Sequence, residues 1–314
     1  MRKIAVMKDC TSAEKALLLS AAEKEDKLYF SSQWNEEEID IVFGEPDADA
    51  IRAMKNLRWI QMSWAGANKY TAMDSFPANI ALTSASGAFG GVISEHILAG
   101  VLSLYKNLPL YRKEMQAGNW QLLSGDEALE EKTALILGAG NIGQETAKRL
   151  KAFGVYTIGV RRNAGEKPPY FDEIYTTEAL DSLLNRADLV IVTLPGTKQT
   201  EGLMNKERLQ KLKSSAIFVN VGRGFVVDTQ ALTSALQTGA LRGAVLDVTD
   251  PEPLPENHPL RKLDNVILTP HISGISWGEN LTTRKRILDI FCENLQRDAQ
   301  NLPLKNIIDF KTGY

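Results

Sequence analysis

Three side chains in the second half of the sequence are of the types needed for acid–base chemistry on a small carboxylic acid. They are Arg223, Glu252 and His271, in the motifs N-V-G-R-G, D-P-E-P-L-P and T-P-H-I-S-G. An arginine can hold a carboxylate through paired hydrogen bonds, and a histidine can exchange a proton near neutral pH. A glutamate can orient that imidazole and stabilise its protonated form. Together they predict proton transfer to a bound 2-oxo acid.

A glycine-rich turn, G-A-G-N-I-G at residues 138–143, precedes these motifs. It follows an apolar run that predicts a strand and begins a predicted helix, which is the context of a dinucleotide-binding fingerprint. Glycines there permit the tight turn and a close approach of the backbone to a pyrophosphate, and the helix N-terminus attracts phosphates. A tight turn without a ligand is the alternative. The residues predicted to bind the cofactor are Gly138, Gly140, Asn141, Ile142 and Gly143.

The end of the next predicted strand, G-V-R-R-N, indicates which dinucleotide is bound. NAD-binding folds usually place an acidic residue about 20 residues after the glycines, where it binds the ribose 2′-hydroxyl. This chain has Arg161 at that position and Arg162 beside it. Guanidinium groups bind a 2′-phosphate well, so the sequence favours NADP(H), with NAD(H) possible. The alternative is a pair of solvated surface arginines.

Composition excludes several other classes of protein. The 314 residues carry a net charge of −3, so a nucleic-acid-binding surface is not expected. No apolar run is long enough for a transmembrane helix, and the N-terminus becomes charged too early for a secretory signal. The two cysteines, Cys10 and Cys292, lie far apart and outside any metal-binding spacing. We therefore expect a cytoplasmic protein with no membrane, nucleic-acid or metal partner.

Alternating strand and helix patterns predict an α/β fold of two wound parallel sheets. The expected division is residues 1–100 plus 285–314 for a discontinuous substrate domain and 101–284 for the dinucleotide-binding domain. Residues 93–116 read as one continuous helical stretch, and 124–132 as a polar linker. A long helix is predicted for 277–300. The apolar runs predicted to form strands are K-I-A-V-M, I-D-I-V-F-G, W-I-Q-M-S, I-A-L-T-S, T-A-L-I-L-G, V-Y-T-I-G-V, D-L-V-I-V-T-L-P, A-I-F-V-N-V, G-A-V-L-D-V and N-V-I-L-T-P.

Taken together, the motifs resemble the D-isomer-specific 2-hydroxyacid dehydrogenase family over nearly the whole chain. The resemblance runs through G-A-G-N-I-G, T-L-P-G-T-K-Q-T, F-V-N-V-G-R-G-F-V-V-D, L-D-V-T-D-P-E-P-L and L-T-P-H-I-S-G, in the family's order and spacing. It implies a Rossmann domain inserted in a flavodoxin-like substrate domain. It also implies an oxidoreductase that transfers a hydride between a nicotinamide cofactor and a small 2-oxo or D-2-hydroxy acid, with NADPH favoured here.

The same resemblance assigns roles to individual residues. Arg223 would hold the substrate carboxylate and carbonyl, His271 would be the acid/base, and Glu252 would pair with it. Asp247 would contact the nicotinamide carboxamide. Further contacts to the cofactor would come from Pro195, Thr200 and Val221. The loop S-W-A-G-A-N would bind the substrate through Trp64, Ala65, Gly66 and Ala67.

Several alternatives remain open from sequence alone. A dinucleotide-sensing corepressor shares the fold and the Arg–Glu–His set, and a phosphoglycerate dehydrogenase-type enzyme shares the chemistry. Glyoxylate or hydroxypyruvate is the favoured substrate, and a homodimer is expected. Of the other histidines, His258 is predicted to be solvated and His96 to be a packing or hinge residue. Trp120 is expected in the core or in a dimer contact.

Overall fold

A computed structural model describes most of the chain. The described residues are 1–30, 34–73, 75–163, 165–275, 277–278 and 280–313. Within those ranges, we find no helix that is both long enough and apolar enough to cross a membrane.

The described residues form two parallel sheets with connecting helices. The strands are β1 (Lys3–Val6), β2 (Lys27–Tyr29), β3 (Ile41–Phe43), β4 (Trp59–Gln61), β5 (Ala81–Thr83), β6 (Thr133–Leu137), β7 (Tyr156–Arg161), β8 (Glu173–Thr176), β9 (Leu189–Val192), β10 (Ile217–Asn220), β11 (Gly243–Leu246) and β12 (Val266–Leu268). The helices are α1 (Ser12–Ala21), α2 (Ala48–Ala53), α3 (Asn68–Thr71), α4 (Gly90–Tyr105), α5 (Leu108–Gln116), α6 (Asn141–Ala152), α7 (Leu180–Leu183), α8 (Lys206–Leu209), α9 (Thr229–Gln237) and α10 (Leu281–Ala299).

The first sheet has five strands in the order β2-β1-β3-β4-β5, and each strand pair is parallel. This is the flavodoxin-like strand order. Helix α10 packs on this sheet, where Phe291 stacks on Phe43 at 4.5 Å between ring centroids and lies 5.7 Å from Trp59. The chain then returns to the sheet edge, and Ile307 forms an antiparallel bridge with Thr83. The C-terminal segment thereby completes the fold of the N-terminal one.

The second sheet has seven strands in the order β12-β11-β10-β9-β6-β7-β8, again all parallel. Its central strands, β9 and β10, are fully buried and, apart from Asn220, apolar, as expected for a sheet covered on both faces. The strand order reverses between β6 and β9, which is the place where ligands bind in doubly wound sheets. The predicted fold class of two wound parallel sheets is therefore confirmed.

Several element boundaries differ from the sequence-based expectation. Strands β2 and β8 were not predicted, and each lies at an edge of its sheet. The predicted helical stretch 93–116 is two helices, because Asn107 has a left-handed backbone (φ 51°) and a proline starts α5. The last helix begins at Leu281 rather than at 277, since the Asn280 side chain caps it by accepting from the Thr283 N–H. Residue 279 of that predicted span lies outside the described residues.

Contacts divide the chain into two compact units, Met1–Phe89 with Ile275–Tyr314, and Gly90–Gly274. The domain boundaries expected from the sequence, 100/101 and 284/285, lie later in the chain than the boundaries between these two units. The first would cut α4, whose Gly100 lies so close to β11 that an added Cβ would be 2.5 Å from Val245 Cγ1. The second would detach Trp277, whose indole N–H donates to the Asp9 carbonyl and whose ring meets Phe43 edge-on at 5.6 Å.

Candidate active site

The glycine turn lies at the strand-order reversal of the seven-stranded sheet, between β6 and α6. Gly138 has a φ of +109°, a backbone conformation that side chains rarely adopt, and a Cβ there would lie 2.7 Å from Thr193 Oγ1. At Gly143 an added Cβ would collide with the carbonyl oxygen of Gly138, so helix and strand meet only because that position is glycine. Both the predicted tight turn and the close packing of α6 on β6 have a steric cause here.

Gly140 differs from these two glycines because it faces open space. None of the described atoms lies within 4 Å of a Cβ built on it. Gly140 is also the N-cap of α6, and no side chain of the described chain caps that helix. Its first N–H groups therefore remain available to an anion, beside a backbone that a large group can approach. These residues fit the pyrophosphate of a dinucleotide.

The two arginines at the end of β7 are held differently. Arg161 donates from Nη2 to the carbonyl of Glu166 at 2.7 Å, which turns its guanidinium toward the loop that follows. Its Nε is buried, and no described atom accepts from it. Arg162 is exposed. An arginine carries five N–H donors, so Arg161 keeps further donors for a phosphate group.

The loops after β9 and β10 lie side by side. Thr200 accepts from the N–H of Thr197 at 2.9 Å, and its hydroxyl lies 2.8 Å from the carbonyl of Pro195. Val221 is buried and donates to the carbonyl of Val192. A Cβ on Gly196 would lie 2.9 Å from Arg223 Cγ. The predicted cofactor residues Pro195, Thr200 and Val221 are thus brought to one edge of the sheet.

Arg223 follows β10 on a turn that the Asn220 side chain closes. Asn220 donates to the carbonyl of Arg223 at 2.9 Å and accepts from the N–H of Gly222 at 3.1 Å. The guanidinium donates from Nη1 to the Gly222 carbonyl. Burial lowers the pKa of Arg223, and the negative charge of Glu252 opposes that shift. A partly desolvated guanidinium is suited to bind a small carboxylate anion.

Asp247 is the centre of the turn that carries His271. Its carboxylate, 1% exposed, accepts from the Thr269 hydroxyl at 2.6 Å and from the N–H groups of Ile272 and Ser273 at 2.9 Å each. Burial alone would raise the pKa of the Asp247 carboxyl, but these hydrogen bonds hold it below its usual value. The N–H of His271 donates to the Asp247 carbonyl at 2.8 Å. The predicted nicotinamide contact is therefore also a structural anchor.

His271 and Glu252 form a direct pair. The Nδ1 atom of His271 lies 2.7 Å from Glu252 Oε1, and both side chains are nearly half exposed. His271 has a φ of +56°, a left-handed conformation that is uncommon for a residue with a side chain. Because an ionised carboxylate only accepts, Nδ1 carries a hydrogen and Nε2 is left for a substrate. This arrangement can deliver or remove one proton.

The other two histidines have distinct surroundings. His258 caps a short 3₁₀ turn, accepting at Nδ1 from the N–H of Leu260. His96, on α4, lies with Nε2 3.2 Å from Thr269 Oγ1, next to the hydroxyl that donates to Asp247. Sequence reasoning did not place His96 or Asn220 near the site. Asn220 has a weak signal, an amide at the end of an apolar strand, whereas nothing local distinguishes His96.

The S-W-A-G-A-N loop belongs to the five-stranded unit and follows β4. Glu45 fixes its start by accepting from the N–H and hydroxyl of Ser63 at 2.6 and 2.9 Å. The Trp64 carbonyl accepts from the N–H of Ala85, and its indole is 38% exposed. Ala65 and Gly66 are half-buried, and Ala67 is buried at the start of α3. The loop therefore offers small residues, with Trp64 as its large side chain.

Two lysines flank that indole. Lys8 Nζ and Lys69 Nζ lie 6.0 and 5.9 Å from the centroid of the Trp64 ring. Lys8 is paired with the carboxylate of Glu45, and Lys69 donates to the Glu45 carbonyl. The basic character near this loop is thus greater than Lys69 alone would give, although Glu45 neutralises part of it.

Comparison with known proteins gives consistent matches. Residues 98–273 match the family model described as D-isomer specific 2-hydroxyacid dehydrogenase, NAD binding domain. The chain is 36% identical over 259 residues to the glyoxylate reductase of Thermofilum pendens, covering 79% of this chain and 74% of that protein.

Solved structures agree along the full length. A D-isomer specific 2-hydroxyacid dehydrogenase family protein from Aeromonas salmonicida superposes with a TM-score of 0.87 at 32% identity, covering 98% of this chain and 99% of that one. A D-isomer specific 2-hydroxyacid dehydrogenase from Xanthobacter autotrophicus, solved with NADPH and MES, gives a TM-score of 0.85 at 28% identity, covering 100% and 99%. With the family model spanning more than half the chain, this protein belongs to the D-isomer specific 2-hydroxyacid dehydrogenase family, a family of NAD(P)-dependent oxidoreductases that act on CH–OH groups.

Proposed function

We propose that the protein reduces small 2-oxo acids, such as glyoxylate or hydroxypyruvate, to D-2-hydroxy acids with NADPH as the favoured cofactor. The observation that carries this proposal is the 2.7 Å contact between His271 Nδ1 and Glu252 Oε1. It commits Nδ1 to the carboxylate and leaves Nε2 to donate its proton to the substrate carbonyl oxygen. A histidine oriented in this way by a glutamate is an efficient general acid near neutral pH.

The remaining residues bind and orient. A reduced nicotinamide, when bound, supplies the hydride to the carbonyl carbon. Arg223 binds the substrate carboxylate and stabilises the charge that develops on the oxygen, and burial strengthens both interactions. Asp247 keeps the turn of His271 in place through three hydrogen bonds. From the family resemblance, the N–H groups of Ala65, Gly66 and Ala67 are proposed as further donors to the carboxylate.

The proposed preference for NADPH depends on Arg161 and Arg162 at the end of β7. The position whose carboxylate usually binds the ribose 2′-hydroxyl is Arg161 in this chain, and Arg162 follows it. The relative from Xanthobacter autotrophicus was solved with NADPH, which supports the same choice. A glyoxylate reductase among the relatives supports a small substrate.

Initial rates with NADPH and NADH test the proposal against a panel of glyoxylate, hydroxypyruvate, pyruvate, a branched 2-oxo acid and a phosphorylated 2-oxo acid. We expect the highest kcat/KM for glyoxylate and hydroxypyruvate, with NADPH as the cofactor. A marked preference for the phosphorylated acid would support a phosphoglycerate dehydrogenase-type enzyme. Binding of the dinucleotide without turnover of any acid would support the corepressor-like alternative.

A substitution at the glycine turn tests cofactor binding separately from stability. Since a side chain on Gly140 enters open space, Gly140→Asp should leave the melting temperature nearly unchanged. Its carboxylate would repel a pyrophosphate, so the Kd for NADPH should rise by at least roughly tenfold. If Gly140→Asp binds NADPH normally, the dinucleotide does not approach this turn.

We also propose that the protein is a homodimer. Trp120 and Leu122, in the segment after α5, are 103% and 91% exposed, and Leu108 and Met115 of α5 are 54% and 59% exposed. Trp120 therefore does not lie in the core, which leaves the dimer contact as its expected role. Light scattering of the protein and of Trp120→Asp tests this. A mass of one chain for the unmodified protein would contradict it.

A further inference from the structure

Helix α4 contacts the catalytic turn, residues 269–273, through His96. Among the residues described, His96 is the one titratable side chain of this helix that contacts a hydrogen-bonded group of that turn. It lies on α4, and its Nε2 is 3.2 Å from the hydroxyl oxygen of Thr269. Thr269 directly follows β12, two residues before His271. Helix α4 is well placed as a support, because its Gly100 allows direct contact with Val245 of β11.

The direction of each hydrogen bond in this group follows from counting hydrogens. The Asp247 carboxylate, held ionised by its partners, can only accept. The single hydroxyl hydrogen of Thr269 is therefore directed at Asp247 Oδ1, 2.6 Å away. Thr269 Oγ1 then has only lone pairs to offer toward α4, so His96 must be the donor. The imidazole of His96 carries its hydrogen on Nε2.

This chain of donors ends at the catalytic turn. Asp247 accepts from Thr269 and also from the N–H groups of Ile272 and Ser273. Between Thr269 and Ile272, His271 is held at a φ of +56°, a conformation that needs support from its neighbours. A donor from His96 polarises the Thr269 hydroxyl and strengthens its bond to Asp247, since linked hydrogen bonds reinforce one another.

We propose that His96 is a positioning residue for the reaction, acting as an Nε2–H donor through Thr269 and Asp247 on the turn that carries His271. It does not touch the substrate and is not a catalytic residue. The role in turnover rests on the proposed function, whereas the hydrogen-bond direction does not. The two parts can therefore be tested separately.

The activity test compares substitutions that keep or remove the donor. In His96→Gln the amide nitrogen replaces Nε2, whereas His96→Asn is too short and His96→Leu has no donor. We expect kcat for 2-oxo acid reduction to fall about tenfold in His96→Leu and His96→Asn and to stay within about twofold in His96→Gln. The Kd for NADPH should stay within about twofold in all three. Equal kcat values for the Gln and Asn variants would overturn the proposal, even if His96→Leu fails to fold.

Two comparisons separate positioning from general stability. His258→Leu removes a histidine of the same unit that only caps a 3₁₀ turn, and it should leave kcat unchanged. In a double-mutant cycle, Thr269→Val combined with His96→Asn should cost little more kcat than Thr269→Val alone. Additive losses would show that His96 does not act through Thr269.

The hydrogen-bond direction is tested without turnover. With three histidines in the chain, the ring nitrogens can be assigned in a long-range ¹H–¹⁵N spectrum by comparison with His96→Gln and His258→Leu. At alkaline pH, where an ordinary imidazole is neutral, His96 should be the Nε2–H tautomer and His271 the Nδ1–H tautomer. A His96 ring protonated on Nδ1 instead would refute the inference. If no 2-oxo acid is reduced, this spectrum still decides it.

Discussion

The carboxyl ends of the two sheets present different chemical groups. At the carboxyl ends of β10 and β11 in the seven-stranded sheet, the side chains of Asn220 and Asp247 hold neighbouring backbone through hydrogen bonds, and Thr269 after β12 donates to the Asp247 carboxylate. After β4 of the five-stranded sheet, Glu45 holds only the start of the loop at Ser63, and the loop then presents Ala65 and Gly66, which have no polar side chain. The edge of the seven-stranded sheet thus orients side chains, whereas the loop after β4 of the five-stranded sheet presents main-chain groups at Ala65 and Gly66.

The difference predicts how each edge responds to substitution. A buried polar group that loses its partner costs the full desolvation penalty, so single changes at the seven-stranded edge should have large effects. A main-chain N–H donor persists with every side chain except proline, so other substitutions at the five-stranded edge should have small effects. Substitutions at the two edges test that contrast.

Replacing His271 should have the largest effect. His271→Gln removes the proposed proton donor, so kcat for 2-oxo acid reduction should fall about 10²- to 10⁴-fold. The Kd for NADPH, measured by fluorescence titration, should stay nearly constant, because the glycine turn is untouched. Turnover within about tenfold of the unmodified enzyme would remove His271 from the mechanism.

Arg223 should come next. Arg223→Ala should raise KM and lower kcat together, with a combined loss of about 10²- to 10³-fold, because the residue is proposed to contact both the carboxylate and the developing charge. Arg223→Lys should recover only part of this loss. A lysine lacks the two-pronged geometry, and burial, which already lowers the pKa of Arg223, would favour the neutral amine.

Steady-state rates of the two Arg223 variants against substrate concentration provide the measurement. If Lys restores full kcat/KM, the residue contributes only a general positive charge. The geometric assignment at the seven-stranded edge would then be wrong.

The cofactor preference should show an intermediate effect. A charge-assisted contact to a 2′-phosphate contributes roughly 1.5–3 kcal/mol, which corresponds to about a tenfold to hundredfold preference for NADPH. Arg161→Asp with Arg162→Ala should reverse the order of the two KM values. Added salt should weaken the preference, because Arg162 is exposed. Equal kcat/KM for both cofactors in the unmodified protein would show that neither arginine meets the ribose.

The smallest effect is expected at the five-stranded edge. Trp64→Ala removes the ring beside Lys8 and Lys69, and an exposed cation–π contact contributes about 0.5–1 kcal/mol. We therefore expect KM for glyoxylate to rise about two- to fivefold with kcat almost unchanged. Lys69→Met should change even less. A loss as large as that of Arg223→Ala would abolish the contrast between the two edges.

The sequence predicts the seven-stranded edge well because its residue types are informative. A glycine turn after an apolar strand and the motifs around Arg223, Glu252 and His271 are sufficient to predict the roles proposed for these residues. The His271–Glu252 pairing predicted from them has the geometry of a direct contact, at 2.7 Å. The S-W-A-G-A-N loop carries no such signal, and only the family resemblance singles it out.

Other features depend on contacts that no local pattern encodes. The edge strands β2 (K-L-Y) and β8 (E-I-Y-T) mix polar with apolar residues and are at most partly buried, so they lack the continuous apolar run that marks the central strands. The break at Asn107 lies inside an apolar pattern that continues on both sides. His96 meets Thr269 across 173 positions of sequence, a distance over which spacing conveys nothing.

The division of the first unit into two pieces also orders events during synthesis. Residues 90–274 form an uninterrupted segment that can complete its seven-stranded sheet as soon as it has left the ribosome. In the five-stranded sheet, the rings of Phe43 and Trp59 lack their contact with Phe291 until α10 has been synthesised. Nascent chains that stall before α10 would therefore expose the aromatic face of the first sheet, which makes them natural clients for chaperones.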